Sequence, residues 1–143
     1  MKPRALLTTI PSDSHSWNLV FMEMFLAEHG FEVENLGICA PYELTYAAVR
    51  AEPRDLVVVS TVNGHGHLEG PALARHLTET TDPGRPRLVI GGKLGTEVAA
   101  LERQAAELRA AGYDAVFYGP AALADFVEFL AREPAWSGAA LLA

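Results

Sequence analysis

The sequence predicts an α/β fold in which a parallel sheet is covered by helices on both faces, and three features carry that reading. Short β-rich runs alternate with helical patterns: "RALLTTI", "SWNLVFMEMFLAEHG", "FEVENLG", "YELTYAAVRAE", "DLVVVS", and so on to the C-terminal end. The runs "DLVVVS" and "RLVIGG" are apolar without alternation, as central strands buried on both sides require. The chain has 143 residues, half of them apolar, which suits one domain with a real core.

Each element has its own signal. In the first helical segment Trp17, Val20, Phe21, Met24 and Phe25 recur at the spacing of one helix face, a stripe expected to meet the core. Gly30 follows as a stop. The stretch "TDPGRPR", Thr81 to Arg87, reads as a turn into the fourth strand. In "TEVAALERQAAELRAAG", Val98, Leu101, Ala105 and Leu108 share a face, with Thr96 as the expected N-cap and Gly112 as the stop. "AVFYG" is a fifth strand and "ALADFVEFLAR" a fifth helix. One domain, residues 1–133, is expected, followed by a loosely held tail, residues 134–143, from which Trp136 packs back on the body.

Five such βα units imply either a flavodoxin-like (Rossmann-like) sheet of strand order 2-1-3-4-5 or half of a longer dinucleotide fold. In the first order the switch point lies between strands 1 and 3, and ligands bind beyond the carboxyl ends of the strands there. The loops that matter are then "PSDSHSWN" and "STVNGHGHLEG".

Composition removes several function classes. Lys and Arg number 11 against 18 Asp and Glu, a formal charge of −7, and the basic residues are scattered, so nucleic acid and acidic membranes are poor partners. The start "MKPRALLTTIPSD" is broken by Pro11 and Asp13 and fails as a signal peptide, so a soluble, cytoplasmic protein is expected. The single cysteine, Cys39, cannot form an internal disulfide and reads as a small buried hydrophobe.

Two loops hold residues with chemistry. In "SDSHSWN", Ser12 to Asn18, His15 has the chemistry to offer one ring nitrogen to a metal while Asp13 holds the other, fixing the tautomer and raising basicity. The plainer alternative is that Asp13 or Ser16 caps the first helix and the histidine is incidental. Ser60 ends the third strand, followed by Thr61, Val62 and the glycines Gly64 and Gly66, where hydroxyls suit a polar ring and glycines admit close approach, or simply form a turn.

Other motifs are weaker. His65 and His67 lack a third ligand at usable spacing for a metal. "GHGHLEG" has its third glycine one position late for a dinucleotide fingerprint, and "LVIGG" ends in Gly91 and Gly92 where an acidic residue would be needed. That glycine pair is either a tight turn or the floor of a gap for a flat ligand. A phospho-receiver reading fails because position 60 is serine and Gly119 ends the fifth strand where a lysine is required.

Taken in order, "SDSHSWN", "STV" and "GG" resemble the D-x-H-x-x-G, S-x-L and G-G pattern of cobalamin-binding domains. The chain is most similar to the small subunits of glutamate (methylaspartate) mutases, through "GFEVENLGICAPYE", "VVSTVNGHG", "VIGGK" and "GYDAVFYGP", from about Ala5 to about Leu130. The resemblance implies adenosylcobalamin as cofactor. His15 would be the lower axial ligand to cobalt in place of the cofactor's own dimethylbenzimidazole, with Asp13 bonded to its other ring nitrogen. Ser60, Val62, Gly91 and Gly92 would line a slot for the nucleotide tail, and Ser14, Ser16, Asn18, Gly64 and Gly119 would complete the contacts. Trp17 reads as core or else as a wall of that slot. Asn18 stands where the pattern has glycine, and Val62 where it has leucine.

The resemblance also implies a division of labour. Homolysis of the cobalt–carbon bond starts a carbon-skeleton rearrangement, while a larger catalytic barrel subunit binds the small amino-acid substrate, so no catalytic side chain is expected in this chain. The alternatives are a corrinoid methyl carrier for a methyltransferase and a non-catalytic cobalamin-binding module. Methyl carriers usually have a helical domain ahead of the first strand, and Met1 stands almost at that strand, which favours the mutase.

Overall fold

The apolar runs and helical periods become a doubly wound sheet in the computed structural model, which describes residues 2–79, 85–133 and 136. Strands β1 (Arg4–Thr8), β2 (Glu32–Asn35), β3 (Leu56–Thr61), β4 (Arg87–Gly92) and β5 (Ala115–Phe117) alternate with helices α1 (Trp17–Glu28), α2 (Tyr42–Ala51), α3 (Gly66–Leu77), α4 (Leu101–Ala111) and α5 (Ala122–Arg132). All pairings are parallel, in the order β2-β1-β3-β4-β5. This is the expected flavodoxin-like arrangement. Every residue of β3 is buried, as its unbroken apolar run requires.

Alternation along the strands splits the core in two. Leu6, Val57, Val59 and Ile90 face α3 and α4, meeting Leu73 and Leu108. Ala5, Leu7, Val58 and Val89 face α1 and α5, meeting Leu19, Leu26, Phe126 and Leu130. Trp136 joins this second layer. It is 1% exposed, its ring lies 5.7 Å from that of Phe31 and 6.0 Å from that of Phe129, and its indole N–H donates to the Leu130 carbonyl at 3.1 Å. The expected packing of Trp136 on the body is therefore present, while the rest of the tail, and residues 81–84 of the expected turn, lie outside the described residues.

The face of α1 that packs inward is not the expected one. Trp17, Val20, Phe21 and Met24 are 70%, 55%, 47% and 60% exposed; of the expected stripe Phe25 alone is buried, and it is joined by Asn18, Leu19 and Leu26. The sequence of α1 is apolar nearly all round, so Leu19, Met22 and Leu26 form a second stripe at helical spacing, and periodicity alone cannot choose between the two. The helix rotation is set by the preceding loop, which is tied to β3.

Smaller differences have local causes. The fourth helical segment opens with a single 3-10 turn, Val98–Ala100, which leaves Val98 exposed and puts Ala100, not Thr96, at the N-cap of α4. Gly112 ends that helix at φ 135° and Gly30 follows α1 at φ 92°, both in the left-handed region where glycine is at ease. Cys39 is exposed, not buried, in the loop after β2. There it adopts φ 49°, and its N–H donates to the Asp13 carbonyl at 2.8 Å. Among the described residues no helix is long and apolar enough to cross a membrane.

The two stripes of α1 differ in energetic weight. Leu26→Ala should cost about 2–5 kcal/mol in urea denaturation, as deletion of a buried leucine does. Met24→Ala should change stability by no more than about 0.5 kcal/mol.

Candidate functional site

The carboxyl ends of β1 and β3 meet at the switch point, and the first loop enters it with Asp13 fully buried. A buried carboxylate needs donors, and Asp13 has them. Its Oδ1 accepts from the backbone N–H of His15 at 2.9 Å and lies 2.8 Å from Nδ1 of the same residue. Its Oδ2 accepts from the Thr61 hydroxyl at 2.6 Å and from the Val62 N–H at 2.8 Å. Burial by itself raises the carboxyl pKa, but the hydrogen bonds from Thr61, the His15 and Val62 amides and the His15 ring outweigh it and hold the group at about 2. Asp13 is thus ionised and only accepts. The reading of Asp13 as a helix cap falls, and Ser16 takes the N-cap position of α1 without a side-chain bond.

An ionised partner sets the tautomer of the imidazole. Nδ1 of His15 carries the proton, and Nε2 of the neutral ring keeps its lone pair. The side chain is 49% exposed, so this lone pair is available at the edge of the sheet, held in direction by a buried anion. A second set of bonds braces the loop. Ser12 donates its N–H to Glu69 at 3.2 Å and its hydroxyl to the same carboxylate, and accepts from Asn63 Nδ2 at 3.0 Å.

Beside this loop a cavity of about 170 Å³ opens between the sheet and the pair α1 and α5. Met22, Phe117, Leu123 and Phe126 form its apolar walls, and Ser60, Gly91 and Gly92 its sheet side. Parallel register puts Ser60 opposite Gly91 and Thr61 opposite Gly92, so both motifs meet at one point. Gly92 has a structural reason of its own: at φ 117°, a Cβ there would lie 2.1 Å from the Thr61 carbonyl oxygen. A Cβ on Gly91 would come within 3.1 Å of the Phe117 carbonyl oxygen.

The remaining expected site residues divide. Asn18 is buried and bonded to Ser60, next to the cavity. Ser14 and Ser16 are exposed in the loop. Val62 takes part through its amide, on Asp13, and does not line the cavity. Gly64, at φ 86°, makes a turn whose N–H donates to Lys93, and Gly119 lies exposed beyond β5 at φ 80°. Trp17 is neither core nor cavity wall. His65 sits at the N-cap of α3 with His67 in the first turn, and among the described residues no group of three His, Cys, Asp or Glu side chains is placed to hold a metal ion.

Glu69 and the walls Met22, Phe117 and Phe126 are not among the residues to which the sequence points, and Thr61, whose hydroxyl it offers to a ligand, binds Asp13 instead. Thr61 had a usable signal as a hydroxyl at a strand end. The apolar walls had none, because they come from segments far apart in sequence.

The strength of the Asp13 tie can be measured. Asp13→Asn should lower unfolding stability by about 2 kcal/mol, since bonds to a buried charge are worth more than neutral ones. Ser14→Ala in the same loop should be neutral within about 0.5 kcal/mol. Gly92→Ala should cost more than about 3 kcal/mol, because the displaced atom is backbone.

Residues 3–127 match the B12 binding domain family. The chain is 28% identical over 134 residues to the glutamate mutase sigma subunit 1 of Haloarcula marismortui, covering 93% of this chain and 87% of that one. It is also 28% identical over 116 residues to the glutamate mutase sigma subunit of Treponema denticola, covering 81% and 83%. In fold it is similar to a cobalamin-binding protein from Desulfitobacterium hafniense, with TM-score 0.67 and 20% identity over 90% of this chain and 58% of that longer one. The buried Asp13, the oriented His15 and the cavity at the switch point thus stand in a chain that belongs to the B12-binding domain family.

Proposed function

We propose that this chain is the cofactor-carrying subunit of an adenosylcobalamin-dependent carbon-skeleton mutase of the glutamate mutase type. The observation that carries the reading is the imidazole of His15, half-exposed at the sheet edge with its Nδ1 held by the ionised Asp13. The names of the sigma-subunit relatives support the reaction class, and their coverage of most of this chain supports carrying it over.

The residues present fit the cofactor. His15 would ligate cobalt, Asp13 would keep the ring basic and aligned, and the cavity behind Ser60, Gly91 and Gly92 would take the tail out of water. Ser14, Ser16, Val62, Gly64 and Gly119 stand around this edge in support. Adenosylcobalamin, when bound, would supply the radical chemistry of the rearrangement. The chain's own work is to bind, orient and shield.

A separate catalytic subunit would bind a small amino acid such as glutamate and cover the edge. Trp17, Leu44, Leu68 and Leu123 support this, since all four are exposed apolar residues in the first turns of their helices and so ring the same edge as His15.

Electron paramagnetic resonance of the full chain loaded with cob(II)alamin tests the ligand. A nitrogen triplet that becomes a doublet with nitrogen-15 histidine, and disappears in His15→Ala, is the expected result. Splitting unchanged by the label would remove His15 from cobalt.

A further inference from the structure

Helix α1 leaves an apolar face uncovered. Trp17, Val20, Phe21 and Met24 fall at i, i+3, i+4 and i+7, on one side of the helix, and all four are exposed. Trp17 stands at the carboxyl edge, and the other three carry the apolar surface down the side of the helix. The one charged residue within that span, Glu23, is turned aside to accept from Asn35 Nδ2 at 3.0 Å. The ends of the helix are poorly served as well. Its first turn holds no acidic residue and Ser16 gives no side-chain cap, while its last turn holds no basic residue and closes on Glu28, a carboxylate at the end of the dipole that favours a cation.

We propose that a second copy of this chain covers this face, with the two α1 helices packed antiparallel about a two-fold axis that passes beside Val20 and Phe21. In that arrangement Val20 and Phe21 meet their own counterparts, and Trp17 of each copy lies over Met24 of the other, a flat ring on a flexible thioether. Antiparallel packing also sets Glu28 of each helix beside the start of the other, so the carboxylate that opposes its own dipole serves its neighbour's. A strongly charged partner would find no charge on this face to meet, whereas a second copy matches it in both shape and dipole. The four residues expose about 500 Å² on each copy, about 1,000 Å² in the pair, which reaches the lower bound of a specific interface and makes the dimer weak and concentration-dependent. Stability measured at low micromolar concentration is therefore that of the monomer. The four side chains do not line the cavity, and the pairing needs no cofactor.

Sedimentation velocity of the full chain, from about 10 to about 500 μM, tests the pairing. The mass should rise with concentration toward that of two chains. Val20→Lys and Val20→Glu should each weaken self-association at least about tenfold, because like charges then meet across the axis. An equimolar mixture of the two variants should recover the dimer, since a lysine now faces a glutamate. Leu44→Lys, an exposed leucine on α2 away from this face, should leave self-association unchanged. Thermal melts confirm that each variant is folded. A mass that stays at one chain up to the highest concentration would overturn the proposal, as would association that survives in both Val20 variants. Two monomeric Val20 variants that stay apart on mixing would also overturn it, because they do not meet at the axis. His15 ligation stands or falls separately, by the resonance experiment above.

Discussion

One buried carboxylate organises the carboxyl edge of this sheet. Asp13 is cut off from water, and its charge is tolerable only because donors from two segments converge on it: His15 from its own loop, Thr61 and Val62 from the end of β3. Those bonds do three things together. They close the first loop onto the neighbouring strand, they set the starting direction of α1, and they fix which nitrogen of His15 faces outward. A structural tie and a site for chemistry are here the same interaction.

The cavity depends on that tie through Thr61. Its hydroxyl binds Asp13, while its carbonyl accepts from Lys93 N–H at 2.9 Å and stands where any Cβ on Gly92 would collide. The glycine pair thus lets β4 close against β3 just where β3 holds the carboxylate. On the other side of the sheet edge, α1 and α5 are held together by Phe25 and Phe126, whose rings lie 5.8 Å apart, and Met22, Leu123 and Phe126 wall the opening between them. The imidazole and the cavity are thus held in fixed relation through Asp13 and Thr61.

The outward side of the same edge is unusually apolar for a chain of charge −7. Trp17 and Phe21 on α1, with Leu68 on α3, are exposed, although the helices that carry them are well anchored beneath. This follows from the parallel topology, which starts every helix at the carboxyl edge, so first-turn residues from distant parts of the chain gather around one site. It also accounts for the exposure of Trp17, the first residue of α1, which stands at the edge rather than in the core.

Much of this was legible in the residues. The unbroken apolar runs marked β3 and β4 as central, the alternation of strand and helix led to the strand order, and the spacing of Asp13 and His15 with Ser60 and the Gly91-Gly92 pair pointed to one edge. Local chemistry and period determine such features, because burial on two faces and turn geometry leave their mark on neighbouring residues. The tertiary structure alone decided which stripe of α1 is buried, that Cys39 and Val98 are exposed, that Asp13 binds Thr61 and Val62 rather than capping a helix, and that Asn18 meets Ser60. Each of these turns on a contact between segments distant in sequence, and the free energy of such contacts is set by packing and desolvation that no local pattern encodes.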